Sequence, residues 1–258
     1  WFLLLFAFAL RAWGLTYGLP YVTVFTSDAE EFVIEAVEMA GTRNLNPGWF
    51  GLPGSTVIYF LAFFFGGANR MDRLLGCTTE YVGSLFAGDP TPFYTVGRLF
   101  AAFAGLLTIA LVYRLGTAVG GRRTGLFAAA LLSVSPLELF ISRLARPDAP
   151  VVLFCTMSVW GALRVLKRPS LANYLLAGVA AGLAMSTKYY GVVAIVALPV
   201  AHFLNAETRR AIRKPASWGK LVIAGISLLV AFAVTSPFAL LEWPTTLDNL
   251  ASEGRSTH

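Results

Sequence analysis

Residues 93–119 read FYTVGRLFAAFAGLLTIALVYRLGTAV, an apolar stretch whose only charged residues are Arg98 and Arg114. A helix needs about 20 predominantly apolar residues to cross the roughly 30 Å of hydrocarbon in a bilayer. Hydrophobic residues make up 57% of the chain and charged residues 13%, whereas about a quarter of the residues in a soluble domain are charged. The sequence therefore predicts an all-α polytopic membrane protein.

The chain is expected to cross the membrane about seven times and to form one transmembrane domain over residues 1–258. The run 55–67 is also apolar, but its roughly 13 residues fall short of the 17 or so needed to cross. It is predicted to be re-entrant or interfacial, within a long first loop at 16–92. Since the chain begins with Trp1 and stops in a loop, it is expected to be an N-terminal fragment of an enzyme whose C-terminal part is missing. The other predicted spans are 1–15, 125–142, 149–165, 171–186, 190–204 and 221–237.

Basic residues concentrate in the loops on one side of this seven-span arrangement. That side carries 11 Lys/Arg and one acid, Glu207, while the other carries 9 Lys/Arg and 13 acids. Because short basic loops stay in the cytoplasm, the loops 16–92 and 143–150, the turn around Lys188 and everything after residue 237 are predicted to be extracytoplasmic. The net charge of +6 is thus a topological signal, and no nucleic-acid partner is predicted.

The first polar group on the extracytoplasmic side follows the first predicted span. Ser27 and Glu30 have the spacing of a capping box, which predicts that a helix starts here. Asp28 lies at the entrance of that helix, where a carboxylate can face a membrane-embedded substrate. The acids that follow are typical of a solvated helix face, and they are Glu31, Glu35 and Glu38.

Two tight turns supply the other candidate residues. Charges this close to hydrocarbon are costly unless they are paired or functional. Arg146 and Asp148 lie in one turn, with Glu138 about one helical turn deeper, and Lys188 precedes Tyr189 in the other. A surface ion pair or interfacial anchoring are the structural alternatives. Together with Arg98, the cations lie at one predicted depth, as binding of a lipid-linked phosphate requires.

Several short segments of the chain, which include Asp28, Arg98, the turn with Arg146 and Asp148, and Lys188, resemble in their order and spacing the family 39 glycosyltransferases of the C-type (GT-C) superfamily. These include protein O-mannosyltransferases and lipid A aminoarabinose transferases. The resemblance covers nearly the whole chain, although Ala29 follows Asp28 where the family commonly has glutamate. It is carried by Asp28 with Phe32-Val33, by the stretch LNPGWFGLPG at 45–54, by Gly97-Arg98-Leu99, by GRRTG at 121–125, by LLSVSP at 131–136, by Ala145-Arg146-Pro147-Asp148 and by Thr187-Lys188-Tyr189.

The resemblance implies a GT-C-like bundle and an inverting transfer of a sugar from a polyprenyl-phosphate donor to a hydroxyl or amine acceptor at the extracytoplasmic face. Asp28 would act as the general base, with Glu30 or Asp148 as a second carboxylate. Membrane lipid would surround the donor's tail. The residues expected to bind the donor phosphate are Arg98, Arg146 and Lys188, and those expected to contact substrate are Tyr189 and Glu138.

Three alternatives remain open at the level of sequence. A transporter or lipid flippase would carry charges near the bilayer midplane and paired repeats, and neither is found in the sequence. A non-catalytic lipid-binding relative is compatible with Ala29. A divalent metal ion bound by extracytoplasmic carboxylates is a further possibility, although no dedicated ligand spacing predicts one.

Overall fold

The computed structural model describes residues 1–20, 27–51, 53–76, 81–211 and 213–253, without the side chains of 27–30, 215, 216 and 253. Every regular element in these ranges is a helix, which confirms the predicted all-α class. The helices are α1 (Phe2–Ala12), α2 (Ser27–Thr42), α3 (Ser55–Leu74), α4 (Val82–Gly88), α5 (Thr91–Ser133), α6 (Pro136–Ile141), α7 (Asp148–Lys167), α8 (Leu171–Thr187), a 3₁₀ helix (Tyr189–Val196), α9 (Ala197–Leu204), α10 (Ala206–Arg210), α11 (Pro215–Thr235), α12 (Pro237–Leu241) and α13 (Trp243–Glu253).

Three of these helices are long and apolar enough to cross a membrane: Thr91–Ser133, Asp148–Lys167 and the part of α11 from Ser217 to Thr235. Shorter apolar helices coincide with other predicted spans, at Phe2–Ala12, Leu171–Thr187 and Tyr189–Leu204. Together with the composition, these helices identify a membrane protein. The sevenfold crossing of the bilayer stays a prediction.

Helix α5 is a hairpin with two limbs. Gly121 has φ 84° and ψ 177°, a conformation that only glycine adopts readily, and it reverses the chain direction. The limbs pack closely, because a Cβ placed on Gly116 would lie 2.8 Å from the Cα of Gly125. The second limb ends at Ser133, earlier than the predicted boundary at 142. Pro136 accounts for the break, since it lacks an N–H and disfavours helical geometry in the residue before it.

Contacts made by two lysines identify one end of the bundle. Lys167 Nζ donates to the carbonyl of Ala118 at 2.6 Å, and Lys220 Nζ donates to that of Pro169, also at 2.6 Å. Both contacts lie at the end of the bundle where the loops were predicted to be cytoplasmic. Helix α7 has 20 residues and extends about 30 Å. It leads from Asp148 at the opposite end of the bundle to Lys167 at this end.

The first loop folds into α2, α3 and α4, which share an apolar core. Phe32 and Val33 of α2 pack there with Leu61 and Phe65 of α3. Helix α3 has 20 residues, longer than the predicted apolar segment 55–67. The extension carries Arg70, Asp72 and Arg73, so counting only uninterrupted apolar residues underestimated its length.

Helix α8 is held against its neighbours by residues with little or no side chain. A Cβ placed on Gly178 would overlap the carbonyl oxygen of Ala224 in α11, while one placed on Gly225 of α11 would meet no atom within 4 Å. Small residues let membrane helices approach this closely. Close packing of α8 against α11 therefore requires a residue without a Cβ at position 178.

Substituting Gly178 with alanine is expected to destabilise the protein by about 1–3 kcal/mol, the usual cost of overpacking. Thermal unfolding in detergent measures this as a lower midpoint. Gly225→Ala is the matched control, and since alanine favours helix its midpoint should stay the same or rise. Equal behaviour of the two variants would show that α8 and α11 are not in close contact.

Candidate active site

Three charged side chains meet at the end of the bundle opposite the basic loops. Lys188 Nζ lies 2.7 Å from Asp148 Oδ1, and Arg146 Nε lies 3.3 Å from Asp148 Oδ2. Their side chains are only 15% to 27% exposed. We refer to Arg146, Asp148 and Lys188 as the charged triad. The structure thus brings together three of the residues that the sequence singled out.

Local chain geometry explains the position of each triad member. Asp148 is the first residue of α7, where a carboxylate is stabilised by the helix dipole. Arg146 precedes it in the turn after α6. Lys188 has extended backbone (φ −151°, ψ 131°) between α8 and the 3₁₀ helix, and its ammonium lies 5.8 Å from the ring centroid of Tyr190.

The triad has two cationic side chains and one carboxylate, so it carries a net positive charge. Asp148 contacts the guanidinium through one carboxylate oxygen and the ammonium through the other. An arginine and a lysine arranged in this way are typical ligands of phosphate.

Two residues of the first loop, Phe50 and Gly54, contact the residues next to Lys188. The hydroxyl of Tyr189 donates to the carbonyl of Phe50 at 2.9 Å, and Phe50 is buried with Phe232. The N–H of Gly54 donates to the carbonyl of Thr187 at 3.2 Å. Residues on both sides of Lys188 are therefore bonded to the first loop, a connection that the sequence alone did not predict.

A chain of hydroxyl groups passes through Ser186, which lies two residues before Lys188. Thr56 Oγ1 donates to Ser186 Oγ at 3.0 Å, and Ser186 Oγ lies 2.7 Å from Ser236 Oγ. Ser186 and Ser236 are buried. This chain joins α3, α8 and the end of α11.

Arg98 lies near the start of α5 and makes contacts of another kind. Its Nη1 donates to the carbonyls of Leu15 and Tyr17, which fixes the end of the first predicted span against α5. Guanidinium has five donors in total. The predicted role of Arg98 as a phosphate ligand stays a prediction.

Glu138 forms a buried ion pair with Arg11 instead of bonding to the triad. Arg11 Nη2 contacts Glu138 Oε2, and Ser142 Oγ donates to Glu138 Oε1 at 2.8 Å. Arg11 is fully buried and also donates to the carbonyl of Ala7. No role was predicted for Arg11 from the sequence, although an isolated charge in an apolar helix indicates a partner. The predicted contact of Glu138 with substrate stays a prediction.

Asp28 and Glu30 lie in the first turn of α2, and their side chains are outside the described part of the structure. Gly97 of α5 allows α2 to pack near the triad. A Cβ on Gly97 would lie 2.7 Å from the Cβ of Ala145 and 3.3 Å from Cγ2 of Val33. Helix α2 therefore packs close to the residue that precedes Arg146.

The acids further along α2 were predicted to be solvated. Glu31 and Glu38 are exposed, whereas Glu35 is partly buried, and burial together with the charges of Glu31 and Glu38 raises the pKa of Glu35 to about 7. Among the described residues no three His, Cys, Asp or Glu side chains gather as a possible metal site. The side chains of Asp28 and Glu30 are not among those described.

The family described as "Dolichyl-phosphate-mannose-protein mannosyltransferase" matches residues 93–240, more than half of the 258 residues and a range that includes the whole charged triad. The chain belongs to this family. The resemblance inferred from the sequence is thereby confirmed.

A protein of Bacillus subtilis (strain 168), named "Putative mannosyltransferase YkcB", is 23% identical to the chain over 154 residues. The alignment covers 60% of this chain and 20% of that protein. The chain thus spans about a fifth of the length of this curated relative. No solved structure matches the chain.

Proposed function

We propose that the protein is a membrane glycosyltransferase that moves a sugar from a polyprenyl-phosphate-linked donor to a hydroxyl or amine of a protein, lipid or glycan acceptor. The observation that carries this proposal is the charged triad, a partly buried pair of cations at one end of an apolar helix bundle. Membership of a family named for transfer from dolichyl phosphate mannose supports the same chemistry.

The triad would bind the phosphate of the donor. In the reaction, the bond between the sugar's anomeric carbon and the phosphate oxygen breaks, and the electron pair leaves with the phosphate. Lys188 and Arg146 would stabilise the charge that develops on that oxygen, and stabilisation of this kind is usually the largest contribution to catalysis. Asp148 would position both cations, and Arg98 would provide a further guanidinium.

Asp28 would accept the proton of the acceptor as its oxygen or nitrogen attacks the opposite side of the anomeric carbon, so that configuration inverts. Packing of Val33 and Ala145 against Gly97 supports this role, because it brings the helix that carries Asp28 in its first turn towards the triad. Glu30 would substitute for the glutamate that commonly follows Asp28 in the family. Tyr189 and Glu138 would complete the substrate-binding surface.

The site would face the extracytoplasmic side. The triad and the first loop lie at the end of the bundle opposite the loops with Arg122, Lys167 and Lys220. Because such basic loops are retained in the cytoplasm, donor and acceptor would meet at the outer surface of a multi-pass protein.

Substituting Lys188 with glutamine is expected to raise KM for the donor about tenfold, because a hydrogen bond to a charged group contributes about 1.5–3 kcal/mol. KM for the acceptor should change much less. The assay follows transfer from radiolabelled polyprenyl-phosphate sugars in membranes that contain the full-length protein. Lys167→Gln is the control, since it removes the same charge at the other end of α7.

Equal changes in the two KM values would count against phosphate binding by Lys188. The transporter alternative would be favoured over the enzyme if the wild-type protein showed no glycosyl transfer but moved a solute across the membrane of sealed vesicles.

A further inference from the structure

A large groove lies in the first loop, and none of the charged triad lines it. It is formed by the C-terminal end of α2, one face of α3 and the start of α4, and its volume is about 1270 Å³. Pockets for small ligands usually measure about 300–1,000 Å³. The groove can therefore hold a headgroup together with part of a longer chain.

Three arginines line this groove: Arg43, which directly follows α2, and Arg70 and Arg73 of α3. Residues three apart lie on one face of a helix, so Arg70 and Arg73 point the same way. The guanidinium of Arg73 lies 4.5 Å above the ring of Tyr81, which fixes its plane. No acid is among the described residues that line the groove, and Asp72 on α3 is not part of the lining.

Arg43 occupies its position in an unfavourable backbone conformation. Its φ is 61°, and its N–H bonds to the carbonyl of Met39 at 3.0 Å, as in a left-handed helix cap. Glycine or asparagine usually takes this position. Strained residues of this kind occur preferentially at binding sites, and here the strain accompanies a third guanidinium in the groove.

The rest of the lining includes exposed apolar side chains. Phe63 is 84% exposed and Leu74 is 74% exposed, and both line the groove. A free phosphate or a soluble sugar phosphate would gain little from these side chains. An anion attached to a hydrocarbon chain would be bound by both parts of the lining.

We propose that the groove binds an anionic phospholipid of the surrounding membrane. Its phosphodiester would be held by Arg43, Arg70 and Arg73, whose planar guanidinium groups bond to phosphate oxygens in pairs. One acyl chain would lie along Phe63 and Leu74. This inference does not rest on glycosyl transfer, and lipid binding can be measured without a transfer assay.

Native mass spectrometry of the full-length protein in detergent tests the proposal by titration with phosphatidylglycerol. Wild-type protein should bind it saturably and in preference to phosphatidylcholine. Arg70→Gln with Arg73→Gln should lower the affinity about tenfold or more, as expected for the loss of charge-assisted hydrogen bonds. Arg122→Gln with Arg123→Gln removes the same charge from the turn of the α5 hairpin and should have little effect.

Equal loss in the two double variants would overturn the proposal, since it would reveal general attraction of lipid to a basic protein. Equal binding of phosphatidylcholine, or full displacement by inorganic phosphate, would overturn it as well. Preference for a polyprenyl phosphate over phosphatidylglycerol would assign the groove to the donor instead. If the Arg70/Arg73 variant does not fold, Tyr81→Leu decides: an affinity about threefold lower is expected from loss of the cation–π contact, and an unchanged affinity would contradict the proposal.

Discussion

Replacing Asp28 with asparagine is expected to slow glycosyl transfer by about 10²- to 10⁴-fold, the usual contribution of a general base. Asparagine keeps the size of the side chain but cannot accept the acceptor's proton. Because the triad is unchanged, KM for the polyprenyl-phosphate donor should stay within about twofold of the wild-type value, small against the tenfold that one lost charged hydrogen bond would cause.

Transfer of a radiolabelled sugar in membranes provides the measurement, with protein levels matched by immunoblot. Glu31→Gln and Glu38→Gln are suitable controls, since they neutralise exposed carboxylates on the same helix. Both should retain nearly full activity. A normal rate in Asp28→Asn would move the base to another carboxylate, with Glu30 and Asp148 to be tested next.

Replacing Arg11 with methionine is expected to destabilise the protein by about 3–5 kcal/mol, the usual cost of breaking a buried ion pair. The substitution keeps the length of the side chain but leaves the carboxylate of Glu138 buried without its cation. Hydrogen bonds from Arg11 to the carbonyls of Ala7 and Ser133 would be lost too. Unfolding in detergent, followed by circular dichroism, measures the effect.

A double variant separates the ion pair from general damage to α1. Arg11→Met combined with Glu138→Leu removes both charges, and replacing a buried pair by apolar residues is often close to neutral. The double variant should therefore be more stable than Arg11→Met alone. If it is less stable by the sum of the two single effects, Arg11 and Glu138 do not interact.

The sequence predicted those features that depend on local composition. Apolar runs located the helices that form the bundle, and basic residues in short loops marked one of its ends. The turn at 143–150 and the turn at Lys188 were recognised as functional candidates because charges near hydrocarbon need a partner or a role. The structure adds that Asp148 is the partner that both turns share.

Features that depend on contacts between distant segments could not be predicted in the same way. Arg11 and Glu138 are 127 residues apart, and nothing in the sequence around Arg11 distinguishes Glu138 from the other acids of the chain as its partner. The bond between Tyr189 and Phe50 spans 139 residues. Pro136 marks the break after Ser133 in the sequence, whereas the apolar run continues past this break to residue 142 and does not reveal it.

The hydrogen bonds from Gly54 to Thr187 and from Tyr189 to Phe50 lie on the two sides of Lys188. They connect the backbone around Lys188 to the first loop at two points. A displacement of the part of this loop that holds Phe50 and Gly54 would therefore shift the backbone of Lys188 as well. In the glycosyltransferase proposed above, entry of one reactant and retention of the other would then be coupled, and kinetic analysis is expected to reveal an ordered addition of the two instead of a random one.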